Sequence, residues 1–106
     1  MYSITTKHTR PSTDVEFYTF KESTLIPPDV KNHFLLTYVR SGNIIFTNWT
    51  EAEDGLSTVS QSLWLNKEAY DAYKNDPILT SSYFPARDAY CTTNNITMEQ
   101  LGAEEI

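Results

Sequence analysis

The segment from Ile44 to Leu65 constrains the fold more than any other stretch of the chain. Ile44-Ile45-Phe46-Thr47-Asn48-Trp49-Thr50 is β-branched and aromatic, with Gly42-Asn43 before it and Glu51-Ala52-Glu53-Asp54-Gly55 after it. That is a strand closed by an acidic turn, and Leu56 to Leu65 is its return strand. Side chains alternate faces at period two, which puts Ile44, Phe46 and Asn48 on one face of the first strand and Ile45, Thr47 and Trp49 on the other. In the return strand Val59, Gln61 and Leu63 oppose Thr58, Ser60, Ser62 and Trp64. Neither strand divides into one apolar and one polar face, as a sheet covered by helices on a single side should. A second cover is expected, and for a chain of 106 residues a second copy related by twofold symmetry supplies it most simply. The plainer explanation is a Trp49 or Trp64 at a rim, since scattered exposed apolar side chains are normal.

Composition narrows the partners. A formal net charge of −6 with only eight basic residues, spread from Lys7 to Arg87, argues against nucleic acid or an anionic membrane surface. No apolar run approaches the length of a membrane span, and no basic-then-apolar leader opens the sequence, so a cytoplasmic setting is expected. Cys91 is the only cysteine, which leaves no internal disulfide and no four-ligand zinc site. No metal or cofactor is expected. Asn48-Trp49-Thr50 and Asn95-Ile96-Thr97 match a glycosylation pattern, by chance in a chain that is not secreted.

The remaining segments read as cover for the ribbon in one domain, residues 1–106. Tyr2 to Thr9 alternates as a first strand, ended by Pro11. Thr13 with Glu16 forms a capping box, and the apolar stripe of Val15, Tyr18 and Leu25 predicts a helix from Asp14 to Thr24. Pro27-Pro28 interrupts. Val30, Phe34 and Tyr38 then predict a second helical piece, ended near Arg40 with Gly42 or Asn43 as left-handed cap. Asn66 caps another helix, with Leu65 and Tyr70 at staple positions, and Pro77 ends it near Asn75. Residues 78–83 are a loop or a helical turn. Residues 86–93 lean toward a short helix and residues from 96 toward a brief edge strand, although Thr97 with Gln100 would also cap a helical turn. The order gives an α+β fold, ferredoxin-like βαββαβ with an antiparallel sheet.

Leu63-Trp64-Leu65-Asn66-Lys67-Glu68-Ala69-Tyr70, leading to Tyr73 and Asn75-Asp76-Pro77, adds a family resemblance. A tryptophan-bearing third strand that runs into such a helix resembles the dimeric α/β-barrel superfamily, which includes the antibiotic-biosynthesis-monooxygenase-like proteins. By element order the resemblance spans residues 2–77. It implies sheets paired face to face in a homodimer of barrel type. It also implies, in the oxygenase members, a pocket between helices and sheet with a few polar groups, to which Asn48 and Trp64 are compared. Haem-degrading members need an axial histidine on a helix, which His33 does not match.

Each candidate residue has a functional and a bland explanation. His8 is a possible general base or a strand-end side chain bonded to backbone. His33 beside Val30 and Phe34 is a ligand or base, or simply packed. Glu51, Glu53 and Asp54 are a cation site or, more simply, a solvated turn. Arg87 next to Asp88 is a carboxylate clamp or a structural ion pair. Tyr83 and Tyr90 line a pocket mouth or the core, and Trp49 lines a pocket or a rim. Cys91 reads as a buried small hydrophobe. Three functions follow: a homodimer that binds a small apolar or aromatic compound between sheet and helices, a cofactor-independent monooxygenase-like enzyme using His8, Asn48 and Trp64, or an accessory protein-interaction module.

Overall fold

A computed structural model describes all of residues 1–106. The chain runs β1 (Tyr2–Thr9), α1 (Pro28–Phe34), β2 (Ile44–Glu51), β3 (Ser57–Trp64), α2 (Lys67–Lys74), α3 (Pro77–Ser82), α4 (Phe84–Thr93) and β4 (Thr97–Glu105). The sheet order is β2-β3-β1-β4 and every neighbouring pair is antiparallel. This is the ferredoxin-like arrangement, with three short helices in the second crossover. Ile4, His8, Thr58 and Trp64 on one sheet face are buried, whereas Phe46, Asn48 and Gln61 at positions of the other face are exposed, so one face is covered and the other is largely bare.

The sheet is open. β2 and β4 each pair on one side only, and four strands fall short of the roughly eight that a filled barrel needs. The barrel-type sheet implied by the family resemblance is therefore corrected, while the antiparallel βαββαβ order stands. The expected brief edge strand from residue 96 is nine residues long and is held along the full length of β1.

The predicted helix over 14–24 is absent. Its capping box is not used as one: the Glu16 carboxylate reaches forward to the backbone N–H and hydroxyl of Thr24, closing a loop. Arg10 fixes the start of that loop by donating to the carbonyls of Val15 at 2.9 Å and Gly55 at 2.8 Å. The stripe residues are drawn to different places. Phe17 packs with Cys91 and Ile96, whereas Tyr18 joins the main core. Aromatic and β-branched residues have modest helix propensity, and these long-range contacts decide the outcome.

The second predicted piece does form. Pro28 starts α1, and the helix widens into a π turn over Leu35–Val39, closed by the Arg40 N–H on the Leu35 carbonyl at 2.8 Å. Gly42 takes the left-handed cap at φ 85. Asn66 caps α2 through its side-chain oxygen on the Ala69 N–H at 2.8 Å. α4 falls where a helix was favoured over a strand, and residues 77–82 form α3, capped by Asp76.

The main core is aromatic: Tyr18, Tyr38, Trp64 and Tyr83 are buried with Ile4, Ile26, Val30, Ile44 and Leu79. No helix is long and apolar enough to cross a membrane.

Candidate functional site

Strand register explains why this core is hollow. A bulge at Ile45 shifts β2 against β3 between Ile44 and Phe46, so strict alternation fails there. Ile44 shares the helix-facing side with Thr47 and Trp49. On β1 that side carries Ile4, Thr6 and His8, and on β3 it carries Thr58, Ser60, Ser62 and Trp64. Large side chains thus stand at the two ends of the sheet. Thr6 opposite Ser60, and Ser62 opposite Thr47, leave a low middle. The helices and the loop of residues 10–27 bridge over it.

The space beneath has a volume of about 600 Å³ and opens to solvent, within the range of roughly 300–1,000 Å³ usual for small-molecule sites. Its walls are rings. Phe20 stacks on Phe34 with centroids 3.9 Å apart and on Tyr83 at 4.3 Å. Trp64 contacts Tyr70 at 5.4 Å and Tyr73 at 5.1 Å, and all of these side chains line the cavity. The Trp64 indole donates to the Ser62 hydroxyl at 3.1 Å. The π turn contributes Leu35 and Val39; such wide turns recur at functional sites.

His8 lies in this wall, 9% exposed, between Phe17 and Trp49 at 6.0 and 6.1 Å. Burial, and then the charge of Arg87, lower its pKa to about 4, so the imidazole is neutral at neutral pH. Its Nδ1 and the hydroxyl of Thr19, also a lining residue, are enclosed without any hydrogen-bond partner. Unpaired buried polar atoms are uncommon and call for a physical reason.

Five of the seven residues singled out from the sequence meet here: His8, Trp49, Trp64, Tyr83 and Arg87 all line the cavity. Two do not. Asn48 pairs with Gln61 on the bare sheet face and is exposed, because the sheet itself separates it from Trp64. Tyr90 donates to the Glu16 carbonyl at 2.6 Å and packs on Tyr18, so it anchors the loop. Tyr83 is 4% exposed and donates to the Tyr18 carbonyl at 3.3 Å; burial raises its pKa. Arg87 gives Nε and Nη2 to one Asp88 oxygen at 3.2 and 3.1 Å.

Sequence reasoning missed the stack of Phe20 on Phe34, the pair Tyr70 and Tyr73, and the serines beneath them. The serines left a signal: Thr58, Ser60 and Ser62 on the face of Trp64 are small polar residues at inward positions of a central strand. His33 takes part in a different cluster. Its Nε2 lies 2.7 Å from Asp76, which also accepts from the Tyr38 hydroxyl at 2.5 Å and from the N–H groups of Ile78 and Leu79. None of these lines the cavity; the cluster ties α1 to α3. No three His, Cys, Asp or Glu side chains come together in a way that could hold a metal ion. In the acidic turn, Glu51 faces Arg10 at 3.7 Å and Asp54 accepts from the Leu56 N–H.

No family model matches the chain, and no curated protein matches it. Solved structures do. A dimeric ferredoxin-like protein from an uncultured marine organism is similar over 100% of this chain and 94% of its own, at TM-score 0.66 and 9% identity. SnoaB, a cofactor-independent oxygenase from Streptomyces nogalater, is similar over 99% of this chain and 91% of its own, at TM-score 0.55 and 13% identity. At these identities the likeness establishes the ferredoxin-like fold.

Proposed function

We propose that the cleft binds a planar aromatic compound and that the protein acts on it as a cofactor-independent oxygenase, as SnoaB's name describes for that protein. The observation that carries this reading is the ring-walled cavity with the buried, neutral His8 in its wall. An oxygenase without a cofactor must draw its electrons from the substrate, which therefore has to form a stabilised carbanion or phenolate. Flat aromatic walls select such delocalised compounds. His8 takes the proton from the acidified carbon and Trp64 and Tyr73 flank the ring system. The carbanion then gives its electron pair to dioxygen, a C–O bond forms, and the peroxide takes back the proton held by His8 to become a hydroperoxide. Loss of the carbon's second hydrogen with hydroxide, as water, breaks the O–O bond and leaves a carbonyl. With anthrone the sum is anthrone plus dioxygen to anthraquinone plus water.

The test is dioxygen uptake with anthrone in chelator-treated buffer, above the uncatalysed rate. Uptake by the wild-type chain should fall by about 10²-fold or more in His8→Leu, the usual effect of a lost general base. Equal rates for the two proteins would remove His8 from the mechanism, and no uptake above background would remove the oxygenase reading.

A homodimer through the bare sheet face belongs to the same proposal. Phe46 is 55% exposed there and is paired with Leu63. The pair is an exposed apolar spot of the kind that marks interfaces. The marine fold neighbour is described as dimeric. A cytoplasmic setting fits the unpaired, buried Cys91.

A further inference from the structure

The chain carries 14 acidic residues against eight basic ones, yet no carboxylate lines the cleft. Three cations do: Lys21, Lys74 and Arg87. Lys21 Nζ lies 5.2 Å from the centroid of Trp49. Lys74 Nζ and the Arg87 guanidinium carbon each lie 5.0 Å from the centroid of one ring, Phe84. Arg87 is the most enclosed of the three, with 18% of its side chain exposed, while its partner Asp88 is 65% exposed. Asp88 engages Nε and Nη2 of Arg87 through one oxygen.

Two like charges beside one ring repel each other, and Arg87, the enclosed member, is the less screened by solvent. The strain shows at its neighbours: the Lys74 amine is lowered by partial burial and then by Arg87. An anion entering the cleft would relieve it. Guanidinium and ammonium groups bind oxyanions through short charge-assisted hydrogen bonds, and ring walls alone do not explain why the polar part of the cleft has one sign of charge.

Resting on the reading of the cleft as an aromatic site, we infer that its ligand bears a fixed oxyanion, such as a carboxylate on the ring system, held between Arg87 and Lys74.

Calorimetric titration of the full chain with naphthoate and with its neutral counterpart naphthalenemethanol tests this. Naphthoate should bind about tenfold tighter or better, the usual scale of a charge-assisted contact, and added salt should weaken it more than the alcohol. Arg87→Gln should shrink the difference to about twofold. Lys74→Gln, at the solvent-exposed mouth where folding is not at risk, should shrink it in part. Equal affinities in the wild-type chain would overturn the inference and leave the aromatic cleft standing, as would a preference that survives both substitutions. Failure of both compounds to bind would overturn the cleft reading together with it.

Discussion

The rings of His8 on β1 and Trp49 on β2 lie 6.1 Å apart, although β3 runs between their strands. Strands two apart are separated by about 9.6 Å, so the rings lean together over β3. They can do so because β3 presents Thr58 and Ser60 there. The hollow of the cleft is thus written into the small side chains of the central strand.

Filling that hollow should separate binding from stability. Ser60→Leu places three extra carbon atoms on the cavity floor. Naphthoate affinity should fall by at least about tenfold, because a substrate-sized cavity loses its ring contacts. Urea unfolding should show unchanged or greater stability, by up to about 1–2 kcal/mol from added apolar burial. Loss of stability with retained affinity would show that the floor is not where ligand sits.

His8 should make the fold sensitive to mild acid. Its folded pKa of about 4 lies below the ordinary 6.5, so the unfolded chain binds more protons between those values. Stability therefore rises with pH across that window and is lost as pH falls through it, with a slope of at most about 1.4 kcal/mol per pH unit. His8→Leu should flatten the slope in urea unfolding measured between pH 6.5 and 4. An unchanged slope would mean that some other group titrates there.

Asp76 should matter for stability alone. Burial by itself would raise its pKa, but hydrogen bonds from Tyr38, His33, Leu79 and Ile78 hold it below the ordinary value. Its contribution is present above that ordinary value and is lost as pH falls toward the depressed one. Asp76→Ala strips a buried carboxylate from four donors and should cost about 2–4 kcal/mol, while Asp76→Asn, which keeps the capping oxygen, should cost less. Naphthoate affinity should hold in Asp76→Asn, since the cluster lies outside the cleft.

Much of this was legible in the sequence, for local reasons. Asn66 caps α2, Pro28 starts α1 and Gly42 ends its extension because each acts through its own backbone. The helix over 14–24 failed because Glu16 and Phe17 found partners far along the chain, which periodicity does not encode. The register of Asn48 against Trp64 was not legible, for a geometric reason: one strand period and a bulge at Ile45 decide which side of the sheet a residue takes. His8, Trp64 and Arg87 were legible as chemistry, but the floor under them was not. Serines in a strand look like weakened packing until the register sets them side by side.

The bare face gives the association prediction. Phe46→Glu puts a charge on the exposed Phe46–Leu63 pair. Sedimentation should show a wild-type dimer and a monomeric variant. A wild-type monomer at the concentrations used for titration would remove the bare face as an interface.

The most direct measurement of the central claim is where an aromatic ligand sits. Naphthoate titrated into isotope-labelled full chain should shift backbone amide resonances at His8, Trp49, Ser60, Trp64 and Lys74, and leave those of Asn48, Phe46 and Val59 toward the other sheet face unmoved. Shifts confined to the bare face, or none at saturating ligand, would contradict a ligand cleft between the sheet and the helices.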